Sequence, residues 1–126
     1  MITRKLLHTL TALMFGMACL TAFDRTVAAH AVLVEATPAS DSTVPGPDID
    51  VKLRFNLRID RTRSRLTLLR PDGQTIALKI IGNDAPDRLV ARATGLMSGS
   101  YRLLWQVLAV DGHITRGELP FRVSGS

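Results

Sequence analysis

Cysteine is nearly absent: Cys19 is the only one in 126 residues, and it falls in the apolar stretch at the start of the chain. A domain that begins after it has neither disulfide nor thiolate, so its stability must come from packing. Aromatic residues are also scarce. Past residue 29 there are only Phe55, Tyr101, Trp105 and Phe121, too few to stack bases, and nucleic acid is not an expected partner. Long apolar runs are missing as well. The one candidate, Leu6 to Leu20, is broken by His8, Thr9 and Thr11 and falls short of the roughly 20 apolar residues a spanning helix needs. Past residue 29 helical periodicity is absent.

What is present begins with a leader. Arg4 and Lys5 precede the apolar run, and Val27-Ala28-Ala29 places small residues where a signal peptidase cuts. Met1–Ala29 is therefore expected to be a signal peptide and residues 30–126 an exported domain. Of 126 residues, removing 29 leaves 97, enough for one small core. Lipid attachment at Cys19 is the alternative, but Gly16-Met17-Ala18 lacks the branched apolar residue such sites show. Lipidation would keep residues 20–29 attached. The formal charge of +5 comes from 16 basic and 11 acidic residues; Arg4, Lys5, Arg25 and Asp24 lie in the leader, so 13 against 10 leaves +3. Arg58, Arg61, Arg63 and Arg65 cluster locally. They are expected on a solvated strand edge or loop, with an acidic partner or anionic lipid as the alternative.

Short strands separated by turn residues dominate the remainder. Ala31–Ala36 is an apolar strand closed by Thr37-Pro38, and Ser40–Pro47, with Pro45-Gly46-Pro47, is expected to be a loop that cannot hold a ladder. Ile49–Asn56 alternates, with Ile49, Val51, Leu53 and Phe55 on one face and Asp50, Lys52, Arg54 and Asn56 on the other. Arg65–Leu69 and Gln74–Ile81 flank Pro71-Asp72-Gly73 and should form a hairpin. Arg88–Ala93 is a further strand. Ser100–Val110 turns Tyr101, Leu103, Trp105, Val107 and Ala109 inward, and Leu119–Ser124 does the same with Leu119, Phe121 and Val123. About seven antiparallel strands in this length predict an all-β immunoglobulin-like sandwich with Trp105 in its core.

Two histidines lie beyond the leader, His30 and His113. Cleavage after Ala29 would make His30 the first residue, able to bind a metal through both its α-amine and its ring Nδ1. His113 closes Asp111-Gly112-His113. Taken alone that tripeptide is more often a plain turn.

The runs His30-Ala31-Val32-Leu33-Val34-Glu35-Ala36-Thr37-Pro38, Val51-Lys52-Leu53-Arg54-Phe55, Tyr101 to His113 and Gly117-Glu118-Leu119-Pro120-Phe121-Arg122-Val123 together resemble the CopC family of periplasmic copper-resistance proteins. The resemblance runs from His30 almost to the last residue. It implies a seven-stranded Greek-key β-sandwich or barrel that holds one Cu(II) per chain through His30, Asp111 and His113. It also implies copper as ligand, an inner-membrane copper transporter as partner, and a monomeric, periplasmic protein. Two departures stand out. Where members often carry Phe-Ser-Glu-Pro, this chain has Phe55-Asn56-Leu57-Arg58, so Leu57 replaces the acid. The methionine-rich Cu(I) segment of some members is absent too, Met97 being the only methionine past residue 29.

Donor chemistry agrees, since Cu(II) heads the divalent affinity order and favours tetragonal nitrogen and oxygen fields. Its ligands must lose protons, and ordinary values of about 7.7 to 8.0 for an α-amine and about 6.5 for histidine place that competition near neutrality. Three function classes follow: a non-enzymatic copper carrier, a histidine-brace copper oxidase of polysaccharides, and a metal-free immunoglobulin-like interaction module. The four aromatics on inward faces leave little for a sugar platform.

Overall fold

The computed structural model describes residues 30–125, so the expected leader and Cys19 lie outside the described residues. Every regular element among them is a strand: β1 (Leu33–Thr37), β2 (Thr43–Pro45), β3 (Ile49–Phe55), β4 (Ile59–Leu69), β5 (Thr75–Leu78), β6 (Arg88–Ala93), β7 (Gly99–Ala109) and β8 (Ile114–Ser124). They form a three-stranded sheet, β1-β3-β6, and a five-stranded sheet, β2-β8-β7-β4-β5. All pairings are antiparallel except β2 with β8. The expected all-β sandwich is therefore present, with eight strands.

The period-2 pattern explains the layers. Val51, Leu53 and Phe55 of β3 and Tyr101, Leu103 and Val107 of β7 belong to one core cluster, all close to fully buried. Alternate residues such as Asp50 and Lys52 face water. Trp105 joins the two sheets, its ring 5.2 Å from that of Phe55 and steeply inclined to it, while Tyr101 stacks on Phe121 at 5.7 Å. Tyr101 satisfies its hydroxyl by donating to the Met97 carbonyl at 2.6 Å. Arg70 to Gln74 make the expected reversal, with Gly73 at φ 86° and the Arg70 and Gln74 backbones paired at 2.8 Å.

The first strand starts at Leu33 rather than Ala31 and runs to Thr37, the strand expected over Ile49–Asn56 ends at Phe55, and four further expectations need correction. Residues 43–45 do hold a ladder, parallel to β8. The flanking bonds come from the Asp41 amide to the Pro120 carbonyl and the Gly46 amide to the Ser124 carbonyl, so Pro45, last on an edge strand, is not needed as a donor. Strand β4 begins at Ile59 rather than Arg65, with its register to β7 shifting between Asp60 and Arg65. Strand β8 begins at Ile114 rather than Leu119. The strand expected over Gln74–Ile81 is shorter, ending at Leu78, with Ile81 making only an isolated bridge to Val90.

The early start of β8 depends on Gly117. It pairs with Trp105 across the ladder, and a β-carbon there would overlap the indole ring. Gly117→Ala should therefore lower unfolding stability by about 1–3 kcal/mol through overpacking, read as a lower urea midpoint at unchanged m, with altered Trp105 fluorescence in the folded state.

Candidate metal centre

One end of the sandwich collects the start of β1, the β3–β4 turn and the β7–β8 turn. The last is built by its own sequence. The His113 carbonyl accepts from the Ala109 amide at 2.8 Å and the Ala109 carbonyl from the Gly112 amide at 2.9 Å. Gly112 takes φ 91°, a conformation that side-chain-bearing residues resist. Asp111 completes the turn, its Oδ1 accepting the His113 amide at 3.0 Å. Its other oxygen lies 3.1 Å from His113 Nδ1. The carboxylate thus fixes both the backbone and the ring of His113.

That geometry has an electrostatic consequence. The His113 backbone N–H, opposed by partial desolvation and helped by the His113 ring, holds the Asp111 carboxyl below the usual aspartate range. Asp111 consequently stays ionised in acid that protonates an ordinary aspartate.

His30 reaches this turn from the far end of the sequence. Ala31 is buried in the core, and beyond it the ladder with β3 starts at Leu33 opposite Phe55. Between them, the Val32 amide donates to Asn56 Oδ1 at 2.8 Å and the Asn56 amide to the Val32 carbonyl at 3.0 Å. The imidazoles of His30 and His113 end 5.9 Å apart, centre to centre, at 74°. A metal bound about 2 Å from a ring nitrogen sits about 3 Å from the ring centre, so two rings sharing one ion have centres up to about 6 Å apart.

All three expected residues, His30, Asp111 and His113, are brought to one end. They are not clenched. Among the described residues no three His, Cys, Asp or Glu side chains converge tightly enough to hold an ion as they stand; Asp111 is turned onto His113. His113 and Asp111 keep 47% and 36% of their side-chain surface exposed, which leaves the end open to an incoming ligand. Leu57 packs against the core and offers no donor.

Two residues of this end escaped sequence reasoning. Asn56, expected on the outer face of its strand, lies past the end of β3 and turns to Val32; nothing in a strand-terminal asparagine signals this. The Arg58 carbonyl accepts the Val110 amide at 3.3 Å, a backbone contact with no side-chain signature. The rest of the arginine cluster lies along the irregular part of β4, where Arg61 donates to the Asn83 carbonyl and Arg63 lies 3.8 Å from Asp60.

Fold and site together define a two-sheet β-sandwich with an imidazole pair at one end. Residues 33–124 match the CopC domain, and the chain belongs to the CopC family. The matched span begins after His30 and includes Asp111 and His113. Protein YobA of Escherichia coli K12 is 29% identical over 120 residues, covering 91% of this chain and 97% of its own. Copper resistance protein C of Xanthomonas campestris pv. juglandis is 28% identical over 102 residues, covering 75% and 80%. The crystal structure of CopC from Methylosinus trichosporium OB3b superposes with a TM-score of 0.69 at 33% identity, over 76% of this chain and 95% of that one. PcoC, a methionine-rich copper resistance protein from Escherichia coli, shares the fold at TM-score 0.60 and 24% identity, over 76% of this chain and all of its own, 100%.

The Asp111 turn makes a pH prediction. A depressed carboxyl contributes order that is complete above the unfolded value, about 3.9, and is lost as pH falls through the lower folded value. In the metal-free protein the His113 amide resonance should shift with a midpoint below that of a free aspartate, and Asp111→Asn should abolish that step. A midpoint in the ordinary range would contradict the hydrogen-bonded carboxylate.

Proposed function

We propose that this protein is a periplasmic copper(II)-binding protein of copper resistance and homeostasis, exported through a cleaved signal peptide over Met1–Ala29. It holds one ion per chain and passes it to an inner-membrane copper transporter. His30 supplies its amine and ring Nδ1, His113 a third nitrogen, and Asp111 a carboxylate oxygen. The observation that carries this is the 5.9 Å approach of the only two imidazoles in residues 30–125, one contributed by each end of the sequence. Names of relatives, copper resistance protein C among them, point the same way.

The donor set favours the oxidised ion. Two imidazoles, an amine and a carboxylate are nitrogen and oxygen ligands suited to tetragonal Cu(II), whereas Cu(I) prefers thiolates and thioethers. Met97 is alone and 70% exposed, so the described residues cannot assemble a thioether cluster. Binding rather than oxidative catalysis is supported by the aromatics: Phe55, Tyr101, Trp105 and Phe121 are all buried, and none is left to form a sugar-stacking platform.

Copper titration of the processed chain, followed by electron paramagnetic resonance, tests this. A tetragonal spectrum with nitrogen hyperfine structure is expected at one ion per chain. His113→Ala should remove one nitrogen and weaken binding by more than the roughly 10- to 100-fold that loss of an outer-shell partner costs. Affinity should also fall as pH drops from about 8 to about 5, because amine and rings must be deprotonated to bind. A chain still carrying Ala29, whose amide replaces the amine, should bind more weakly. An unchanged spectrum and affinity in His113→Ala, or a mature chain starting elsewhere than His30, would refute the assignment.

A further inference from the structure

We propose that Asn56 is the positioning residue of the metal site, and that the three-residue turn it opens, Asn56-Leu57-Arg58, sets the spacing between the two imidazoles. This role rests on the copper chelate proposed above.

The turn touches both ligand-bearing segments. On one side Asn56 binds Val32 twice, accepting its amide through Oδ1 at 2.8 Å and donating its own amide to the Val32 carbonyl at 3.0 Å. On the other side, two residues on, the Arg58 carbonyl accepts the amide of Val110, the residue before Asp111, at 3.3 Å. The turn itself is tied down behind, where Phe55 donates to the Asp87 carbonyl at 2.9 Å and Ile59 to the Pro86 carbonyl at 3.0 Å. Leu57 seals it from below by packing on the core. The arm and the hairpin tip, more than 75 residues apart in sequence, thus hang from two residues of one braced turn.

Without Asn56 the arm has little else. Its ladder stops at Leu33, and the register of β1 already slips between Leu33 and Glu35. Burial of Ala31 holds the arm's depth, but an apolar contact is non-directional and does not fix where the next residue points. Only the amide and carbonyl of Val32 fix direction, and Asn56 meets both. Of these two bonds the one through Oδ1 depends on the side chain. A terminal segment frays unless tied down, and cleavage would leave His30 as a free end two residues from this clamp. In an open arm His30 can still chelate copper by itself, but His113 is then out of reach.

Substitution at position 56 in the processed chain tests the role. Asn56→Ala removes the acceptor and should raise the opening of the arm about two- to tenfold, the range of one exposed hydrogen bond. In the metal-free protein this is read as faster hydrogen exchange at the Val32 amide. In the copper form it is read as a minor second resonance component resembling that of His113→Ala, minor because copper bound through both rings itself favours the closed arm. Apparent affinity weakens by no more than the same factor, since only the closed fraction binds through both rings. Asn56→Asp keeps an oxygen for the Val32 amide and should restore slow exchange and a single component. A merely structural role would lower the unfolding midpoint in both variants and leave the resonance of the folded protein alone. Wild-type exchange and a single wild-type spectrum in Asn56→Ala would overturn the role of Asn56, the copper site remaining. A wild-type chain that gives no nitrogen-rich copper(II) signal would overturn the site and this role together.

Discussion

The candidate site exists because the first strand pairs with β3, and that pairing is weak by construction. Strand β1 has five residues, lies at a sheet edge and is partly exposed along its length. No covalent link assists it among the described residues, because the one cysteine of the sequence is Cys19. What holds its leading end is a division of labour. Ala31 is an apolar peg, 3% exposed, whose burial resists withdrawal in any direction. The paired bonds with Asn56 resist rotation. A donor residue placed immediately before the peg inherits both restraints, which is the position His30 occupies.

The hairpin tip solves the complementary problem. A two-stranded turn protruding from β7 and β8 would let its side chains rotate freely if the turn were held by backbone alone. Asp111 spends one oxygen on the His113 amide and the other on Nδ1, so backbone conformation and ring orientation are set by one carboxylate. With Nδ1 taken up in this way, Nε2 is the ring nitrogen left free, and on the proposed reading it is the atom His113 offers to the metal. The carboxylate is accessible enough to move. In the metal-free protein it organises the turn, and each of its oxygens keeps a further lone pair beyond those two contacts.

The large features were legible from the order of residues because apolar burial leaves a period-2 trace. Strands β3, β6 and most of β7 show it without interruption, whereas the meeting of His30 with Asp111-Gly112-His113 was implied only by the family resemblance, since nothing in strand periodicity brings those two segments together. Where the trace failed, something other than an aliphatic side chain filled the inward position. In the first half of β8 the inward positions are Thr115 and Gly117, and the space above Gly117 is filled by the Trp105 ring. In early β4 the inward Ser64 is buried, with its hydroxyl donating to the Asp60 carbonyl at 2.6 Å and accepting the Leu108 amide at 3.3 Å. Strand β2 offers too few residues for any period to register. Asn56 left no trace because its side chain makes one hydrogen bond, to a backbone amide, which composition and periodicity do not encode.

On the proposed reading, what the fold contributes to metal binding can be separated from what the sequence contributes. The amine and ring of an N-terminal histidine belong to one residue, so that chelate persists when the chain unfolds. A ligand stabilises the native state only to the extent that it binds that state more tightly than the unfolded one. Folding therefore adds His113 and Asp111, and copper stabilises the sandwich by the difference those two donors make rather than by its whole affinity. The same difference is all that a partner must overcome to draw the ion away from the hairpin tip, after which a two-nitrogen chelate on a short arm is left at an open end of the molecule. A site divided in this way between a local chelate and a tertiary ligand is suited to giving its ion up stepwise, the folded donors first.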